Sequence, residues 1–341
     1  MSENLEKNQP IVSEALTWQW QGFTIGYQQA GPQQAGYQQT EASQQIGQQT
    51  DQQQPDAPAV VLIHGFGASS IHWRKNIPEL AKTCRVYAID LLGYGKSAKP
   101  TPGSPLSYTF ETWGQQVVDF CQQVVGSPAF LVGNSIGCVV AMQAAVLAPQ
   151  HTLGLVLLDC SLRLLHDRKR QSLPWYRSAP TPLIQKVLGY KPLISLFFNQ
   201  LAKPKAVKRI LRQAYGRKEA VTDELVSLLL EPAFDEGAMD VFLAFIRYSQ
   251  GPIPEDLLPQ ITCPTLILWG TEDPWEPIEQ ARAYGDYPAV EDFIALEGLG
   301  HCPQDEAPEV VNPILAEWIE AKWTNQKNIS CHGLTRDMGN S

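Results

Sequence analysis

The chain has no apolar run near the ~18 residues that crossing a bilayer requires, which excludes a transmembrane protein. It has no surplus of positive charge. Its 26 Lys and Arg stand against 35 Asp and Glu, a net charge of −9, and globally acidic chains are poor nucleic-acid binders. It also lacks paired cysteines: the seven (Cys84, Cys121, Cys138, Cys160, Cys263, Cys302 and Cys331) are odd in number and scattered, with no CxxC. That argues against a disulfide framework or a structural zinc site and for a reducing compartment. The opening Met1-Ser-Glu-Asn-Leu-Glu-Lys7 has no basic-then-apolar layout, so secretion is not expected.

The sequence does have enough apolar content for a large core: 44% of 341 residues. That length suggests two units, or one α/β domain carrying an insertion. Residues 1–15 are expected to be disordered. Leu16–Gln28 alternates apolar and polar residues and reads as a strand pair turning near Gly22. Residues 28–54 are rich in glutamine and poor in aliphatics, and are expected to form a disordered loop. Apolar runs then recur at Ala59–Ile63, Arg85–Ile89, Ala129–Val132, Leu153–Leu158, Thr265–Trp269 and Asp292–Leu296. Helical patterns separate them at Phe110–Val125, Ile136–Leu147, Pro277–Tyr284 and Pro308–Trp323. This alternation predicts an α/β fold, a mostly parallel sheet with helices on both faces. Residues 16–161 and 261–323 are expected to form its two parts. The rhythm breaks over 162–260, whose helical pattern includes Val221–Leu230 and Ala238–Tyr248 and predicts a helical cap. A polar tail, 324–341, is expected to be disordered.

Charge is unevenly spread. From Leu162 to Lys218 there are 14 Lys or Arg and one acid, Asp167. A solvated face is the plain reading of such a run. Apolar segments such as Pro192–Phe198 interrupt it and raise a membrane-surface reading.

Gly133-Asn134-Ser135-Ile136-Gly137 fits G-x-S-x-G between a strand and an apolar helix. Glycines are needed there because the serine occupies a strained turn that lifts its hydroxyl to the carboxyl edge of the sheet. A hydroxyl needs a base. Of six histidines, only His301 follows the last strand on a loop able to return over the nucleophile. A carboxylate must orient the imidazole: Asp273, after the strand ending at Trp269, is the candidate, and Asp159 is its rival. The order Ser135, Asp273, His301 suits this architecture. The backbone N–H groups of Phe66, in His64-Gly-Phe-Gly67, and of Ile136 are the expected oxyanion donors. His64 itself reads as a loop-holding residue.

With these elements (His64-Gly-Phe-Gly67, Gly133-Asn-Ser-Ile-Gly137, Glu272-Asp-Pro-Trp275 and Gly300-His-Cys-Pro-Gln-Asp-Glu306), the sequence resembles the α/β-hydrolases. Its closer resemblance is to the chlorophyll dephytylases, with pheophytinase more distant. Phe66–Lys75, Thr109–Gly114, Val221–Leu225, Gly251–Pro259 and Trp275–Ile278 extend the resemblance over about Trp18 to Trp323, apart from the Gln-rich insertion. The resemblance implies hydrolysis of the phytyl ester of chlorophyll to chlorophyllide and phytol, with Ser135, Asp273 and His301 as nucleophile, acid and base. It also implies a peripheral position at the thylakoid membrane, on its cytoplasmic or stromal side. No metal or organic cofactor and no nucleic acid is expected. Many relatives carry glycine where Cys138 stands; its side chain is expected to face helix rather than cleft. A phytyl chain demands an apolar channel, for which Trp73, Trp175, Tyr176, Phe197, Phe198, Phe242, Phe245 and Trp275 are the candidates. Pheophytin as the preferred substrate, a general lipid esterase or thioesterase, a carbon–carbon hydrolase and a ligand receptor on the same fold are the competing readings.

Overall fold

The computed structural model describes residues 13–32, 57–103, 105–171 and 197–337. Eight strands form one sheet in the order β1-β2-β4-β3-β5-β6-β7-β8. They are β1 (Glu14–Trp20), β2 (Phe23–Ala30), β3 (Ala59–Ile63), β4 (Arg85–Ile89), β5 (Ala129–Asn134), β6 (Thr152–Leu158), β7 (Thr265–Gly270) and β8 (Val290–Leu296). β1 and β2 make an antiparallel hairpin, β2 runs antiparallel to β4, and every pair from β4 to β8 is parallel. The hairpin turns through Gln21 and Gly22, both at positive φ (49° and 84°). That two-residue geometry matches the natural twist of the strands it joins.

The unbroken apolar runs follow from burial on both faces. Successive side chains of β3 alternate between two cores: Val61 and Ile63 pack on one side of the sheet, Val60 and Leu62 on the other. The first core includes residues of the helices Phe110–Phe120 and Ile136–Leu147. The second takes Leu80 and, from the last helix, Val311, Leu315 and Ile319. Between β6 and β7 the chain leaves the sheet for the helices Asp167–Gln171, Pro204–Ala214, Asp223–Leu230 and Ala238–Arg247. These carry a small core of their own, with Leu211, Tyr215, Leu225 and Val226, which reaches Cys302 beside the sheet. Arg163 ties the two stems of this insertion. Its guanidinium donates to the carbonyls of Tyr248, Gln250 and Pro252 and lies over the rings of Phe110 and Tyr248.

Three expected boundaries need correction. β1 already begins at Glu14. β2 runs through Gln28, Gln29 and Ala30, which pair with Ala88, Tyr87 and Val86; a ladder bonds through its backbone, so polar side chains do not end it. The last helix spans Pro308–Asp337, past Trp323. The Gln326 amide donates to the Leu153 carbonyl at the start of β6, which continues the docking without apolar side chains. Expectations for 1–12, 33–54, Trp175 and Tyr176 fall outside the described residues.

Candidate active site

The carboxyl ends of β3, β5, β6 and β7 open on one cavity of about 790 Å³. Ser135 follows β5 at φ 57°, ψ −120°, a strained conformation for a residue with a side chain. The flanking glycines make the turn possible. A Cβ on Gly133 would lie 2.5 Å from the Gly137 carbonyl carbon, and one on Gly137 would lie 2.4 Å from the Ile63 carbonyl oxygen. The helix Ile136–Leu147 starts immediately after Ser135, so its first N–H groups and its dipole face the cavity rim. Gly65 sits so close that a Cβ there would be 3.2 Å from the Ser135 Cβ. The residues carrying the two expected donor amides, Phe66 and Ile136, therefore both line the cavity beside Ser135.

His301 and Asp273 meet. The His301 Nδ1–H donates to Asp273 Oδ2 at 2.7 Å, which fixes the tautomer and leaves Nε2 with the lone pair. Asp273 Oδ1 accepts the N–H groups of Trp275 (2.8 Å) and Glu276 (3.1 Å). Both side chains are buried. Ser135 and His301 line the same cavity. Among the described residues no hydrogen bond joins them, a contact that such sites commonly tighten only around substrate. Asp159, the rival acid, is directed elsewhere: its Oδ1 accepts the Gly270 N–H at 2.8 Å. Burial and the neighbouring Asp273 charge hold its carboxyl well above the usual range.

The His301 loop is pinned from two sides. The Asn134 amide donates to the His301 carbonyl at 2.9 Å and to the Leu158 carbonyl at 3.2 Å. The His301 N–H donates to the Ala214 carbonyl at the end of a cap helix, at 2.8 Å. His64 accepts the Leu91 N–H on Nε2 and contacts the Gly65 carbonyl through Nδ1, joining the exits of β3 and β4. The Cys138 thiol is buried against the carbonyls of Gly133 and Leu158.

Phe198, Phe242, Phe245 and Trp275 line the cavity. The Phe66 ring stacks on Phe245 at 4.6 Å and meets Phe242 at 5.6 Å, so the loop after β3 and the inserted helices share one aromatic wall. Trp275 packs edge-on to the His301 ring at 5.0 Å. Two candidates do not belong. Trp73 is fully buried in the core on the other side of the sheet, because the short 3-10 helix Ser70–Trp73 turns it inward. Phe197 is 56% exposed and lies outside the lining; its neighbour Phe198 takes the inward position. The sequence reading did not single out Phe110, Ser161, His72 or Glu276, all of which line the cavity. His72, Phe110 and Glu276 lie within the quoted stretches Phe66–Lys75, Thr109–Gly114 and Trp275–Ile278, which is the available signal for them; Ser161 has none.

Comparison with known proteins gives a consistent picture. A model of the "Alpha/beta hydrolase family" matches residues 60–314. The chain is 27% identical over 311 residues to the chloroplastic pheophytinase of Arabidopsis thaliana, covering 78% of this chain and 62% of that protein. It thus spans less than two thirds of that relative's length. It is also 27% identical over 269 residues to the uncharacterized hydrolase YugF of Bacillus subtilis (strain 168), covering 79% of this chain and 92% of that one. Among solved structures, a serine hydrolase involved in carbazole degradation superposes with a TM-score of 0.67 at 20% identity, covering 91% of this chain and all of that one. At that identity the likeness shows the fold alone.

Proposed function

The chain belongs to the alpha/beta hydrolase family, and on that premise we propose that it is a serine ester hydrolase that cleaves the phytyl ester of chlorophyll. The observation that carries the reading is the buried His301–Asp273 pair opening on the same apolar cavity as a strained Ser135. His301 Nε2 removes the Ser135 proton as the hydroxyl attacks the ester carbonyl. Asp273 stabilises the imidazolium that forms. The oxyanion is held by the Phe66 and Ile136 N–H groups. His301 then protonates departing phytol, and a water activated by the same histidine releases the chlorophyllide acid from Ser135.

The phytyl chain is supported by the cavity's aromatic wall and by the likeness to a pheophytinase. A volume of about 790 Å³ suits a ligand of that bulk. The proposal includes where the enzyme works. The helix Pro204–Ala214 lines the cavity with Val207, Ile210 and Leu211 and also carries Lys205, Lys208, Arg209 and Arg212. Leu165 and Phe234, on the same insertion, are exposed. An insertion that carries both cations and exposed apolar groups suits peripheral contact with an anionic photosynthetic membrane. Among the described residues no helix is long and apolar enough to cross one.

The test is incubation of purified protein with chlorophyll a and, separately, with pheophytin a in detergent micelles, with products separated by chromatography. Chlorophyllide and phytol from wild type, and none from Ser135→Ala, are expected. Turnover of pheophytin alone moves the substrate to the magnesium-free pigment. Turnover of simple esters but of neither pigment rejects the phytyl ester and keeps the esterase.

A further inference from the structure

Glu276 stands where the reaction as described does not require an acid. Its N–H donates to Asp273 Oδ1. Its carboxylate accepts the Leu162 N–H at 2.9 Å and the Ser161 hydroxyl, at the stem where the cap leaves β6. It lines the cavity with Ser135 and His301 and feels the charge on His301. One loop therefore supplies two carboxylates to one imidazole: Asp273 through a hydrogen bond, Glu276 through space.

Among the described residues Glu276 forms no ion pair; on the cap stem, Lys169 donates to the Leu162 carbonyl and pairs with Glu255. From its own loop comes Asp273, committed to His301. From the loop after β8 comes His301 itself. From the segment after β7 comes Tyr284, a phenol held neutral by burial and hydrogen-bonded to Glu255. From the cap stem comes Ser161, while the nearby Arg163 guanidinium is spent on three carbonyls. Burial pushes the Glu276 carboxyl up to about 7, against the pull of His301 and its two hydrogen-bond donors.

We propose that Glu276 is a second, titratable carboxylate that tunes His301. Ionised, it stabilises the imidazolium formed when His301 takes the Ser135 proton; protonated, it gives no such help. The same buried side chain ties the acid loop to the cap stem, so the electrical setting of the base and the seating of the cap share one residue. This rests on the hydrolytic reading of Ser135 and His301.

The test follows hydrolysis of a short p-nitrophenyl ester from pH 5 to 9 in wild type, Ser135→Ala, Glu276→Gln and Glu276→Asp. Glutamine keeps an acceptor for Leu162 and Ser161 but carries no charge. The ratio of wild-type to Glu276→Gln kcat is expected to be near one at pH 5.5 and about tenfold at pH 8.5, a tenfold change corresponding to one pK unit of coupling. Glu276→Asp, still ionisable, should retain a rise near neutrality. A ratio constant with pH assigns Glu276 a structural role alone and overturns the proposal. Should Glu276→Gln not fold, wild type decides: its log-rate profile must show two separate ionisations, one of them near pH 7, and a single ionisation overturns the proposal. If Ser135→Ala hydrolyses the ester like wild type, the site reading fails instead.

Discussion

Substituting Gly137 by alanine probes the elbow without touching a reacting group. Its Cβ would lie 2.4 Å from the Ile63 carbonyl oxygen and 2.7 Å from the His64 carbonyl oxygen, where ordinary contact begins at 3.4 Å. Both neighbours are backbone atoms of the strand exit that leads to Phe66. Neither can rotate away, so the helix beginning at Ile136 must move off β3. That separates the two N–H groups that the mechanism places around one oxyanion. Loss of one well-aligned donor costs about 10²–10³ in kcat, and overpacking a close helix–strand contact costs about 1–3 kcal/mol of stability. The expected variant is folded, less stable, and slowed a hundredfold or more, with the larger effect in kcat. Gly285→Ala is the control, because its Cβ would meet nothing nearer than 3.4 Å. Ester kinetics and urea melts on both variants supply the check. A Gly137→Ala protein with wild-type kcat would refute the close-approach argument.

Asp273→Asn removes the carboxylate that holds His301 Nδ1–H at 2.7 Å; kcat should fall by about 10³–10⁴ with KM little changed, measured as initial rates on a soluble ester. His72 gives an acid limit. It is buried, its pKa is lowered to about 4 from 6.5 chiefly by burial, and its Nε2 bonds the Tyr215 hydroxyl. The native state therefore binds fewer protons than the unfolded chain between those values. Stability contributed above pH 6.5 is lost as pH falls toward 4, about 3 kcal/mol in all. Urea midpoints should drop more steeply over that window in wild type than in His72→Gln, and equal slopes would remove His72 from the account. Charge reversal at Lys205 and Arg209 should weaken sedimentation with anionic vesicles, and added salt should weaken the wild-type interaction; unchanged binding would detach the cap from the membrane.

Much of this arrangement is readable along the chain because parallel strands buried on both faces announce themselves as apolar runs. The sheet from β3 to β7 follows them closely, and Ser135, Asp273 and His301 come at the ends of such runs. β8 is half-exposed and its start is correspondingly harder to place. What the sequence hides is direction. Trp73 and Phe198 are both aromatics beside apolar neighbours, yet one packs in the core and the other faces the cavity, because a single turn of helix decides. Gln28 and Gln29 look like the start of a polar loop, while the ladder to β4 holds them through the backbone. Glu276 is invisible for a further reason: its environment is assembled from the His301 loop and from Leu162 after β6, which lies 114 residues away along the chain.

The central claim is that Ser135 is a nucleophile activated by His301. It is tested most directly by treating the protein with a fluorophosphonate and mapping the adduct by peptide mass spectrometry. The account predicts one adduct, on Ser135, formed at least a hundredfold more slowly in His301→Ala. Labelling at another serine, or equal labelling in His301→Ala, would contradict it.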